Sequence, residues 1–135
     1  MRTRVLVERA GRGFRLRLTA SQHWLLVNAL AAFLESTVSA TEVELVLGPA
    51  GGELDALLAG AEPAESGSRL VLDADIRQAH ALHALLMNTP ARFATEEAFH
   101  HRVGAFRENL LNLADGLCQA VGGLTTAPPT DEGPG

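Results

Sequence analysis

The sequence predicts a small α+β domain in which a mostly antiparallel sheet of about four strands packs against three to four helices. Three observations carry this prediction. The first 19 residues alternate apolar and basic side chains around a glycine-containing turn, as a β-hairpin does. Two further short apolar runs are typical of strands. Longer apolar segments begin at capping residues and are typical of helices.

The predicted N-terminal hairpin turns at residues 10–13. After the turn, Phe14, Leu16 and Leu18 alternate with arginines, so one face of the second strand is apolar and the other is basic. The remaining strand pairings are left open by the sequence. The predicted strands are Arg2–Glu8, Phe14–Thr19, Val43–Leu47 and Arg69–Leu72.

Most of the predicted helices begin at a residue whose side chain can cap them. Thr19 caps the first helix, which runs to Glu35 or Ser36, and Gln22 completes a capping-box pattern. The other predicted helices are Glu53–Ala59, a helix capped by Asp73 that runs to about Met87, and a last and longest helix over Glu96–Val121 that Thr95 caps.

The composition fits one domain with its own core. The 135 residues are 47% hydrophobic and 20% charged, which excludes a wholly disordered chain, a collagen-like repeat and a disulfide scaffold. We predict a single domain over residues 1–124 and a disordered Pro/Gly-rich tail over residues 125–135. The single cysteine, Cys118, fits a reducing compartment, and its apolar neighbours predict a buried, inert thiol.

The longest apolar stretch does not fit a membrane span. Trp24–Leu34 has 11 residues, whereas a spanning helix needs about 20. We therefore expect a soluble, cytoplasmic protein with no membrane partner.

The charge distribution predicts a basic hairpin on an acidic protein. The net charge is −5, yet all 11 basic residues are arginines and six lie in the first 17 residues; the arginine bias is typical of a GC-rich bacterial genome. Arg2, Arg4, Arg15 and Arg17 can share the solvent face of the hairpin, where they would meet an acidic protein partner. A solvated edge that resists aggregation explains the same arginines equally well. Nucleic acid is the alternative ligand, disfavoured because the domain as a whole is acidic.

Two helices carry more apolar surface than one thin sheet can cover. The first has almost no polar face, so it needs a neighbour on every side. The last has a second apolar stripe, which could either pack in the core of the same subunit or form a homodimer interface. We expect a homodimer. The residues of this predicted interface are Leu111, Ala114, Leu117, Cys118 and Val121.

Four residues suggest a weaker alternative, a metal- or small-ligand-binding site. His80 and His83 share a helix face, and Glu97 and His100 have the Glu-x-x-His spacing of carboxylate-bridged metal sites. Ordinary surface positions explain the same residues, so the sequence predicts no cofactor. The leading hypothesis is a small non-catalytic protein-binding module of accessory, regulatory or toxin-neutralising type, acting as a homodimer.

Overall fold

The structure, a computed structural model, describes residues 5–64 and 67–126. Over these residues the chain forms four strands and six α-helices, which confirms the predicted α+β class. The strands are β1 (Leu6–Ala10), β2 (Gly13–Leu18), β3 (Glu62–Pro63) and β4 (Leu70–Ala74). The helices are α1 (Ala20–Glu35), α2 (Ala40–Leu47), α3 (Leu54–Ala59), α4 (Ile76–Asn88), α5 (Glu96–Val103) and α6 (Arg107–Thr126).

The strands form one antiparallel sheet in the order β1-β2-β4-β3. Leu16 at its centre pairs with Val7 on one side and with Leu72 on the other. Side chains of β2 alternate between buried and partly exposed, as predicted. Helices α1, α4 and α6 contact β2, β4 and β1 in turn and form one core with the sheet. Fully buried core residues include Leu16, Phe33, Leu82, Phe99 and Leu110.

The predicted strand Val43–Leu47 is wrong, because these residues belong to α2. The Ser39 hydroxyl accepts a hydrogen bond from the Glu42 N–H at 3.1 Å and caps the helix. Val43 and Leu47, four residues apart, are both buried on its inner face. An apolar run of five residues does not distinguish a strand from a short helix. Here the Ser39 cap favours the helix.

The capping box at the start of α1 is confirmed. The Gln22 N–H donates to Thr19 Oγ1 at 3.0 Å, and the Thr19 N–H donates to Gln22 Oε1 at 2.9 Å. The prediction that Asp73 caps α4 is wrong. Asp73 lies on β4, which continues to Ala74, and the cap is Asp75.

The predicted helix over Glu96–Val121 is two helices. Gly104 ends α5 in the left-handed conformation, with φ of 84°, and α6 begins three residues later. Asn109 helps start α6, because its side-chain oxygen accepts a hydrogen bond from the Phe106 N–H at 2.8 Å. Helix α6 extends to Thr126, and the rest of the predicted tail lies outside the described residues. Within the described part of the chain, no helix is both long and apolar enough to cross a membrane.

Candidate functional site

One face of α1 carries apolar side chains that the other described residues of the chain leave open. Trp24, Val27 and Leu34 are 48%, 40% and 42% exposed, and Ala31 between them is partly exposed. Their spacing of three, four and three residues places all four on one side of the helix. We call these four residues the α1 face. The opposite side of α1 is buried in the core and includes Leu26, Ala29, Leu30 and Phe33.

Helix α5 runs along one border of the α1 face. The Asn28 side chain donates a hydrogen bond to the Val103 carbonyl at 3.3 Å. Arg102 donates two hydrogen bonds to the Glu35 carboxylate, which hold the pKa of that carboxyl below its usual range. Glu35 is therefore an ionised carboxylate at the C-terminal end of the α1 face.

The corner between α5 and α6 lies at the Trp24 end of this face. The indole packs over Gly104, which has no β-carbon to obstruct it. Two residues further, Phe106 is more than half exposed, and its ring centroid lies 4.4 Å from that of His100. An exposed aromatic residue thus follows two residues after the glycine that Trp24 contacts.

Helix α3 lies on the other side of α1. His23 Nε2 is within hydrogen-bonding distance, 2.8 Å, of the Leu58 carbonyl. Since both flanks of α1 are occupied by helices of the same chain, the α1 face is the uncovered remainder of a helix that is apolar almost all round. The described residues thus cover the other sides of α1, as the sequence requires, and leave the α1 face open.

The predicted basic face of the hairpin is interrupted by carboxylates. Arg15 donates to Asp73 on β4 at 2.9 and 3.2 Å, and Arg17 donates to Glu8 on β1 at 2.9 Å. The hydrogen bonds from Arg15 lower the pKa of Asp73, so both members of that pair are charged.

These pairs alter the surface that a ligand would meet. Arg15, Arg17 and Asp73 line a depression of about 740 Å³ that also includes Glu62. Charges of both signs therefore alternate over the described part of this face, which lacks the uninterrupted basic surface that phosphates attract. Arg2 and Arg4, the other two predicted binding residues, lie outside the described residues.

The predicted α6 interface is divided between core and surface. Ala114 and Leu117 are buried inside the chain's own core, and Val121 packs partly buried against it. Leu111 is 41% exposed and Cys118 is exposed. The prediction of a buried Cys118 is therefore wrong, because the second stripe of α6 turns away from the core at this position.

The four residues of the metal hypothesis are not brought together. The His80 ring lies beside Gly48, at the start of the loop after α2, whereas the His100 ring on α5 packs against Phe106. Among the residues that the structure describes, no three His, Cys, Asp or Glu side chains could hold a metal ion. The arrangement thus gives no support to a site built from His80, His83, Glu97 and His100.

Sequence reasoning missed the corner that completes the α1 face. Gly104 was placed inside a continuous helix, although a glycine after a periodic apolar segment is also a common helix end. A predicted helix end at Gly104 would have placed Phe106 in a loop between two helices. Comparisons with family models, with curated proteins and with solved structures yield no significant match to this chain.

Proposed function

We propose that the chain is a small non-catalytic protein-binding module and that the α1 face is its binding surface. The observation that carries the proposal is the row of exposed apolar side chains formed by Trp24, Val27 and Leu34. Single exposed apolar residues are ordinary, but an aligned set led by a tryptophan is typical of protein interfaces. A cytoplasmic location stays a prediction from the sequence.

The composition of the face supports protein as the ligand. Tryptophan is among the residues that most often dominate binding energy, because it buries a large apolar area with few rotatable bonds. The Glu35–Arg102 ion pair supplies a charged rim at one end of the face. An apolar centre with a polar rim is the usual arrangement of a protein–protein interface.

This function can be tested without knowing the natural partner. A displayed peptide library is selected against the purified full chain, and the selected peptides are then measured against two variants. Trp24→Glu places a charge in the α1 face. Leu45→Glu is the matched control, since Leu45 is 82% exposed on α2 and is not part of that face.

We expect the selected peptides to lose at least about tenfold in affinity for Trp24→Glu and to bind Leu45→Glu like the natural chain. Circular dichroism of both variants checks that they are folded. Equal binding to a folded Trp24→Glu variant, or a selection that enriches no peptide, would overturn the proposal.

A further inference from the structure

We propose that the α1 face binds the α1 face of a second copy of this chain, with the two α1 helices antiparallel about a two-fold axis. The inference rests on the proposed function and names its partner. Two-fold homodimers are the commonest protein assembly, and their interface must be complementary to itself. The α1 face meets that requirement in one orientation only.

The order of side-chain sizes selects the antiparallel orientation. An axis level with residue 29 places Trp24 opposite Leu34 of the second copy and Val27 opposite its Ala31. Each layer then combines a larger side chain with a smaller one, which allows close packing along the seam. A parallel pair in register would place tryptophan on tryptophan and alanine on alanine, which crowds one layer and leaves a void in another.

The charges along α1 favour the same orientation. The first turn of α1 contains no acidic residue that would complement the positive end of the helix dipole. Glu35, at the other end, is an exposed carboxylate held ionised by Arg102. Antiparallel pairing brings the Glu35–Arg102 pair of each copy to the first turn of the other, with the carboxylate near the positive end of the helix dipole, and keeps the two Glu35 carboxylates at opposite ends of the seam.

The corner at Gly104 adds to the contact. Trp24 contacts Gly104, and the exposed Phe106 follows two residues later in the same corner, so Leu34 of the second copy would approach Trp24 beside this corner. The four positions of the face span about 15 Å along the helix, by the rise of 1.5 Å per residue. A seam of this length is at the small end of specific interfaces, and we therefore expect a reversible dimer.

The first experiment measures the mass of the full chain and the emission of its tryptophan at rising concentration. Trp24 is the only tryptophan in the sequence, so the emission reports on the α1 face alone. Between about 1 µM and 1 mM, we expect the mass to double and the emission to shift to shorter wavelength. Leu34→Glu should raise the dimer dissociation constant at least about tenfold, and Leu45→Glu should leave it unchanged.

The second experiment tests the orientation by disulfide formation. Val27→Cys and Ala31→Cys are each made in a Cys118→Ser background, because the natural cysteine is exposed. The antiparallel register predicts that mixing the two variants under mild oxidation yields chiefly the mixed disulfide between position 27 and position 31. Predominant linkage of each variant to itself would overturn the antiparallel register.

The failure of this inference is distinct from the failure of the proposed function. A chain that stays monomeric up to about 1 mM with unchanged emission overturns the pairing of two copies. The peptide selection then decides the proposed function separately, because a monomer whose Trp24 binds selected peptides still has a protein-binding α1 face.

Discussion

The indole of Trp24 packs over the backbone of Gly104, with its Cη2 atom 2.6 Å from the position that a β-carbon on residue 104 would occupy. Two properties of glycine make this contact possible at residue 104. Its φ of 84° ends α5 in the left-handed region, and its missing side chain lets the outer edge of the indole ring approach the corner. The position of the Trp24 ring thus depends on the end of α5 at Gly104.

Gly104→Ala should disturb this contact more than it disturbs the fold. The left-handed backbone conformation costs an alanine about 1 kcal/mol, and the added methyl group must displace the half-exposed indole. We expect a decrease of about 1–2 kcal/mol in the free energy of unfolding and a change in Trp24 emission. In a Trp24→Ala background, only the backbone part of that decrease should remain. An alanine variant with unchanged stability and emission would contradict the contact.

Asp75 should make the stability of the protein depend on pH. The N–H of Gln78 donates to its carboxylate at 2.8 Å, and Arg77 donates to it at 3.0 Å. These bonds lower the pKa of Asp75 in the folded state, the backbone bond most. The resulting stabilisation is fully present above the unfolded pKa, about 3.9 for aspartate, and is lost as pH falls through the folded value.

The matching variants are Asp75→Ala and Asp75→Asn, measured by urea unfolding at several pH values. At pH 7 we expect Asp75→Ala to lose about 1 kcal/mol, because the cap is removed. Asp75→Asn should lose less, since asparagine also caps a helix, and its difference from the natural chain should shrink toward about pH 3. A difference that stays constant over this range would show that the ionised carboxylate is not the source.

A charge on the buried side of α6 should destabilise the protein far more than a charge on its exposed side. Leu117 is 5% exposed in the core, so Leu117→Glu buries an unpaired carboxylate and should unfold the chain or remove about 4 kcal/mol of stability. Leu111 is 41% exposed, and Leu111→Glu should stay folded within about 0.5 kcal/mol of the natural chain. Circular dichroism and light scattering on the two variants check this difference.

Light scattering on Leu111→Glu also separates the α6 surface from the α1 face. If copies pair through α1, this variant dimerises like the natural chain. A folded but monomeric Leu111→Glu variant would instead place the interface on α6, where the sequence predicted it.

Features determined within a few residues of the chain were the ones that the sequence predicted well. The capping box of Thr19 and Gln22 needs only a spacing of three residues, and the structure contains both of its hydrogen bonds. The apolar and basic faces of β2 likewise follow from alternation alone. The cap of α4 was misplaced by two residues because the end of β4 is determined by pairing of Ala74 with Phe14, 60 positions away.

The binding surface was harder to predict, because the exposure of a side chain depends on which other elements of the fold pack against it. The apolar character of α1 was visible in the sequence, but which of its residues stay open depends on α3 and α5 occupying its two flanks. The division of α6 is similar, since Ala114 and Cys118 are one helical turn apart yet only Ala114 faces the core. The arginines of β2 met carboxylates on neighbouring strands, and that pairing depends on sheet order.

The central claim, that the α1 face is where this protein binds other protein, is tested most directly by acrylamide quenching of Trp24. The ring is half exposed in the single chain, so the isolated monomer should be quenched readily. We predict that quenching falls when the face is occupied, whether by a second copy at high concentration or by a selected peptide, and that Leu34→Glu restores it. Quenching that stays the same while dimers or peptide complexes form would show that binding takes place elsewhere on the molecule.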